Sequence, residues 1–184
     1  MKSVLISIQP KWCELIASGK KTVEVRKTKP KLEPPFKCYI YCTKKDNIGL
    51  LSPSPLLVRN ERVCNGKVMG EFVCDRVDEI TPTEKGVSFK RFSVLHDSCL
   101  SLAEIREYLG GKVGYGWHIS DLVIYDEPKP LSAFEKPCKC IGEYEGETYC
   151  DCLNCDDAGD SDFGIIGCDK KLKRPPQSWC YVEG

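Results

Sequence analysis

Residues 19–27, GKKTVEVRK, alternate charged and β-branched side chains, a pattern that suits an extended strand because successive side chains then face opposite ways. Thr22, Glu24 and Arg26 would share one face; Lys21, Val23, Val25 and Lys27 would share the other. A hydroxyl, a carboxylate and a guanidinium in a row make a polar strip, which is either solvated or a site. The residues before it set its position. Val4, Ile6 and Ile8 alternate with Ser3, Leu5 and Ser7, predicting a strand with one face more deeply buried. Pro10 suits a first helical turn, Trp12, Leu15 and Ile16 fall at helical spacing, and Gly19 supplies a left-handed stop. The chain therefore opens strand, short helix, strand, and delivers Gln9, Pro10 and Trp12 near the start of the strip.

Downstream, FKCYIYCT places Phe36, Cys38, Ile40 and Cys42 opposite Lys37, Tyr39 and Tyr41, a strand in which Cys38 and Cys42 act as small buried hydrophobes. Residues 44–65 mix prolines, glycine and leucines without period, as a lid or binding loop would. Residues 66–80 predict one long strand, followed by a loop over 81–99. Ser101 and Glu104 form a capping box before a short helix with Leu102, Ile105 and Leu109 on its buried stripe, ending at Gly110. In GYGWHISDLVIYD, His118 falls on a polar face, as a base contact, a proton carrier or a hydrogen-bonded structural histidine. Tyr115, Trp117 and Trp12 offer rings for base stacking, with Trp117 equally suited to the core.

The net charge of zero hides a division: residues 1–45 carry eleven Lys and Arg against three Glu, and residues 138–168 carry one Lys against eight acids. A basic first quarter suits an anionic partner such as nucleic acid, or serves solubility. No run approaches the ~20 apolar residues of a membrane span, and the N-terminal apolar run is too short for a signal peptide. We read the protein as cytoplasmic and not membrane-bound; its oligomeric state is open.

A strand ending in I-x-P-x-W, a helix ending in S-G and then KKTVEVRK together resemble the ASCH domain family, small PUA-like β-barrels; GYGWHISDLVIY and PPQSWCYVE resemble its bacterial and phage members. The resemblance implies an α+β fold: a PUA-like barrel of five to seven strands with two short helices over residues 1–137, a cysteine-rich insertion at 138–173, and a returning final strand at 174–184. It also implies binding of RNA, a nucleotide or a modified nucleoside in a cleft lined by Gln9, Trp12, Lys21, Thr22, Glu24, Arg26 and His118. Some members are amidohydrolases acting on N4-acetylcytidine with a lysine, a threonine three positions later and a glutamate. Lys21 matches that lysine and Arg26 a family arginine; Glu24 occupies the threonine position, and Asp97 and Ser98 stand near the glutamate's place. On the hydrolase alternative, Lys21 and Glu24 are the catalytic candidates.

The tail carries a second chemistry. Of thirteen cysteines, six crowd residues 138–168 in an acidic stretch of little apolar periodicity, which cannot bury enough to fold unaided. Without a secretory signal such cysteines suggest metal ligation over disulfides. Cys152 and Cys155 make a C-x-x-C knuckle, and Cys140 and Cys168 complete a structural zinc site, with Cys138 and Cys150 as alternates. Such a tail also allows a third role, a zinc-stabilised protein-interaction module. Protein purified without chelators is expected to hold about one zinc per chain by elemental analysis; less than about a tenth of an equivalent would remove the zinc reading.

Overall fold

The computed structural model describes residues 2–44, 64–84, 86–91, 93–137, 141–144, 147–150 and 170–183. Most of the irregular 44–65 connection lies outside them. The opening runs β1 (Lys2–Ile8), α1 (Pro10–Ala17) and β2 (Val23–Arg26), followed by β3 (Phe36–Cys42). Pro10 stands at the helix start, where its missing N–H costs nothing, and Gly19 turns the chain out at φ 71°. Next come β4 (Val68–Cys74), β5 (Val77–Thr83), β6 (Gly86–Phe89), α2 (Ser93–Asp97) and α3 (Leu102–Leu109). The chain continues through β7 (Gly114–His118), β8 (Ser120–Lys129), a 3-10 turn (Leu131–Ala133), β9 (Ile141–Tyr144), β10 (Glu147–Cys150) and β11 (Trp179–Glu183).

The architecture is mixed α+β. Among the described residues the strands form a five-stranded sheet, β11-β1-β3-β4-β8, a four-stranded sheet, β2-β7-β5-β6, and the β9–β10 hairpin. Among the described residues the sheets are open and close no barrel of five to seven strands, and three short α-helices are present where two were expected. The reason lies in where the chain changes sheets. The segment expected as one strand over residues 66–80 breaks at Asp75 and Arg76, so that β4 belongs to one sheet and β5 to the other. β7 and β8 part in the same way at Ile119. The two crossings lie side by side: His118 N donates to Arg76 O at 2.9 Å and Ser120 Oγ to Val73 O at 2.9 Å. The loop expected over 81–99 instead completes the β5–β6 hairpin and forms α2.

Three apolar layers follow. The first lies between the sheets and takes Val4, Ile6 and Ile8 from β1, Cys13 and Ile16 from α1, Phe36, Cys38 and Ile40 from β3, and Trp117 from β7. Trp117 is fully buried and meets Phe36 edge-on at 5.8 Å and Trp179 at 6.0 Å. The second layer covers the outer face of the five-stranded sheet with Leu5, Tyr39, Tyr41, Phe134 and Leu172. Both faces of β1 are therefore buried, where the alternation predicted one face more deeply buried than the other, because β1 is an interior strand with a layer on each side. The third packs Val23, Val25 and Ile80 against Val94 of α2 and Ile105 and Leu109 of α3. The expected capping box forms: Glu104 N donates to Ser101 Oγ at 3.2 Å, Ser101 N donates to Glu104 Oε2 at 2.8 Å, and Gly110 caps the helix at φ 60°.

Gly70 lies where β4 meets β8, and a Cβ there would strike the carbonyl oxygen of Val123. A backbone atom of a paired strand yields poorly, so Gly70→Ala is expected to cost ~1–3 kcal/mol. A urea titration with an unchanged slope and a lower midpoint is the expected reading; an unchanged midpoint would mean that β8 yields freely.

Candidate functional site

The polar strip is built by the end of α1 and by the β2–β7 register. Lys20 N and Lys21 N both donate to Leu15 O at 2.9 Å, which holds the turn ahead of β2. In the antiparallel ladder Val23 faces His118, Glu24 faces Trp117, Val25 faces Gly116 and Arg26 faces Tyr115. Directly opposed residues point to the same side of a sheet. Glu24 and Arg26 thus share the side of Trp117, in the space between the sheets, while Val23 and Val25 face α2 and α3.

That placement buries the charges: Lys21 is 2 %, Glu24 6 % and Arg26 7 % exposed. Glu24 Oε2 lies 3.3 Å from Lys21 Nζ, and Glu24 Oε1 lies 3.0 Å from Arg26 Nη2. The cations are held from behind by backbone: Lys21 Nζ donates to Ser98 O at 2.7 Å, and Arg26 Nη2 donates to Ser7 O at 2.6 Å. One carboxylate between two cations leaves a net positive row. Arg26 Nε is buried without a hydrogen-bond partner among the described residues.

The row borders a cavity of about 500 Å³, within the ~300–1,000 Å³ of small-molecule sites. Gln9, Trp12, Lys21, Glu24 and Arg26 line it together with Ser7, Thr43, Glu104, Tyr108, Gln177 and Ser178, among others. Trp12 is half-buried, with Lys11 Nζ 4.2 Å and Lys21 Nζ 5.1 Å from its ring centre. At the rim Lys27 Nζ stands 5.0 Å from the ring centre of Tyr108. The backbone N–H and then the hydroxyl of Ser101 hold the Glu104 carboxyl below its usual range. Behind Trp12, Cys13 Sγ donates to Ile8 O, and its thiol is pushed well up by its hydrogen bond with Cys42 and by burial, so it packs as a hydrophobe.

Of the expected lining residues, five come together here and two do not. Thr22 precedes β2; its N–H donates to Asp97 O and its carbonyl accepts from Ile119 N, and it is not among the cavity residues. His118 pairs with Asp75 through Nδ1 at 2.6 Å, at the crossing between sheets. The register puts it on the side of Val23, opposite to Glu24. Asp97 Oδ1 lies 3.3 Å from His96 Nδ1, and Ser98 Oγ donates to Leu95 O. Ser98 reaches the row only through its carbonyl.

Glu104 and Tyr108 went unforeseen as lining residues, since the capping box explained one and nothing in the order of residues brings α3 alongside the strip. Of the expected metal ligands, Cys138, Cys140, Cys152, Cys155 and Cys168 lie outside the described residues, as does the side chain of Cys150. Among the described residues no group of three or more His, Cys, Asp or Glu is placed to hold a metal, and no helix is long and apolar enough to cross a membrane.

The ASCH domain matches residues 6–108, more than half of the chain and the part that builds this row. The chain belongs to the ASCH domain family. Among solved structures, the ASCH protein of Zymomonas mobilis is 21 % identical, with 70 % of this chain and 73 % of that one covered at a TM-score of 0.48. A tyrosine-to-phenylalanine variant of the same protein is 20 % identical, with 71 % and 77 % covered at a TM-score of 0.46. No curated protein matches. In this ASCH domain the row is an internal feature.

Removing Glu24 would strand two buried cations. Glu24→Ala is therefore expected to cost ~3–5 kcal/mol in a denaturant titration, whereas a solvated strip would change by no more than ~0.5 kcal/mol. A small effect would mean that Lys21 and Arg26 find water or new acceptors.

Proposed function

We propose that the cleft recognises a nucleobase, carried by RNA, a nucleotide or a modified nucleoside. The observation that supports this is the buried row Lys21–Glu24–Arg26 lining a cavity that also holds the half-buried ring of Trp12. A flat polar ring needs one face to stack upon and fixed donors and acceptors at its edge. Trp12 supplies the face; the ion pairs, tied to Ser98 O and Ser7 O, supply a rigid edge. Lys11 and Lys27 stand nearby beside aromatic rings, where a sugar-phosphate chain leaving the cleft would pass. By the family resemblance Glu24 takes the place of the hydroxyl nucleophile of hydrolytic members, and a carboxylate tied to two cations is a recognition group before it is a nucleophile.

Isothermal titration with nucleosides and short single-stranded RNAs tests this. Stacking on an aromatic ring contributes ~1–3 kcal/mol per base, so Trp12→Ala, checked for native circular dichroism, is expected to weaken binding at least about tenfold. Affinity for RNA should fall with added salt while that for a nucleoside holds, because only the former releases counterions. Unaltered binding by Trp12→Ala would sink the reading. Release of cytidine from N4-acetylcytidine, lost in Lys21→Ala, would replace it with hydrolysis.

A further inference from the structure

The order of groups in the buried row carries a more specific reading of the same site, and it rests on the nucleobase assignment above. Lys21 has three N–H groups and no acceptor; its ammonium is directed at Ser98 O and Glu24 Oε2, which leaves one. Arg26 has five N–H groups: those on Nη2 meet Ser7 O and Glu24 Oε1, that on Nε is sealed from the cavity without a partner among the described residues, and the pair on Nη1 remains. Between them Glu24 only accepts. Each of its oxygens meets one cation and keeps lone-pair capacity for another donor. From Lys21 through Glu24 to Arg26 the row therefore reads donor, acceptor, donor.

We infer that the ring accepted by this cleft presents a uracil-type imide edge, carbonyl, N–H, carbonyl, to the row Lys21–Glu24–Arg26. The match is complete for uracil and thymine, whose two carbonyl oxygens meet the cations while the ring N–H meets the carboxylate. Cytosine fails at two of three places: its unprotonated ring nitrogen would oppose the Glu24 carboxylate and its amino group would oppose a cation. Adenine likewise sets a ring-nitrogen lone pair and an amino group on the row. Guanine matches a carbonyl and an N–H, then turns an amino group toward a cation. A mismatched group buried without a partner forfeits ~1–3 kcal/mol, so the row discriminates among bases beyond accepting them.

The test varies the ligand, so that folding of a variant does not enter. Calorimetric titration of the unaltered protein with uridine, thymidine, cytidine, adenosine and N3-methyluridine is expected to give uridine at least about tenfold tighter than cytidine and adenosine. N3-methyluridine, which keeps both carbonyls and loses only the N–H, should bind at least about tenfold more weakly than uridine. Thymidine separates the sources of the edge. Equal affinity assigns recognition to the imide alone, and a preference for uridine adds a contact to the ribose 2′-hydroxyl or a close fit at ring carbon 5; both support the inference. Cytidine or adenosine binding as tightly as uridine, or N3-methyluridine binding undiminished, overturns it while leaving nucleobase recognition standing. Binding of inorganic phosphate with no nucleoside preference overturns it in favour of a simple anion site. No binding of any nucleoside or RNA overturns both readings together.

Discussion

One carboxylate, that of Glu24, ties together parts of the chain that are distant in sequence. Its two oxygens hold Lys21, from the turn after α1, and Arg26, from the end of β2. Those cations reach on to Ser98 O beyond α2 and to Ser7 O in β1. A carboxylate taken out of water must be compensated on the spot, since its desolvation costs several kcal/mol. Each member of the row depends on the others for that compensation. Apolar side chains of similar volume would fold at least as well, for buried ion pairs contribute little net stability over a packed hydrophobic replacement. What a rigid ionic row adds is a fixed pattern of donors and acceptors, and this is the argument for reading it as a recognition surface.

The row can be internal because the two sheets meet over it. β4 passes into β5 at Asp75 and Arg76, and β7 passes into β8 at Ile119, side by side. The sheets thereby enclose a layer centred on Trp117, and β2 pairs with β7 so that Glu24 stands beside that tryptophan. Where the apolar contacts end, Ser7, Gln177 and Ser178 line the cavity from the side of β1 and β11. His118 belongs to this construction. Its bond to Asp75 and its N–H to Arg76 O fasten the crossing that sets the distance between the sheets.

Much of this was legible in the residues, for local physical reasons. Pro10, Gly19, the capping box at Ser101 and Glu104, and the stop at Gly110 each satisfy or terminate a helix end with their own atoms, so short range sufficed. Strand parity correctly put Glu24 and Arg26 on one face. It failed for Lys21 and Thr22 because β2 begins only at Val23, and parity has no meaning in the turn before it. For His118 parity held, since it faces away from Trp117 and forms the hydrogen-bonded pair with Asp75; that this face lies away from the cleft is decided by the register with β2, a pairing across more than ninety residues that periodicity does not encode. The division into two sheets was hidden for a similar reason: a strand that changes sheets keeps its alternation, and Asp75 and Arg76 read as two more polar positions. Glu104 and Tyr108 became cavity residues only through the packing of α3 on the third layer.

The uneven distribution of charge along the chain now separates into two parts with different physics. Of the basic residues that crowd the first 45 positions, Lys21 and Arg26 are buried and share the one carboxylate of Glu24. Lys11 and Lys27 are exposed, each within about 5 Å of an aromatic ring centre, at Trp12 and Tyr108. Exposed charges act through solvent and are screened over ~8 Å at physiological ionic strength, whereas buried ones are screened far less. Under the proposed function, attraction of a polyanion would be the work of the surface lysines and salt-sensitive, while discrimination among rings would be the work of the buried row and would not be. Lys11 and the buried row line one cleft, because α1 carries Lys11 and Trp12 on the turn of helix that follows Gln9 and Lys21 Nζ lies 5.1 Å from the Trp12 ring centre.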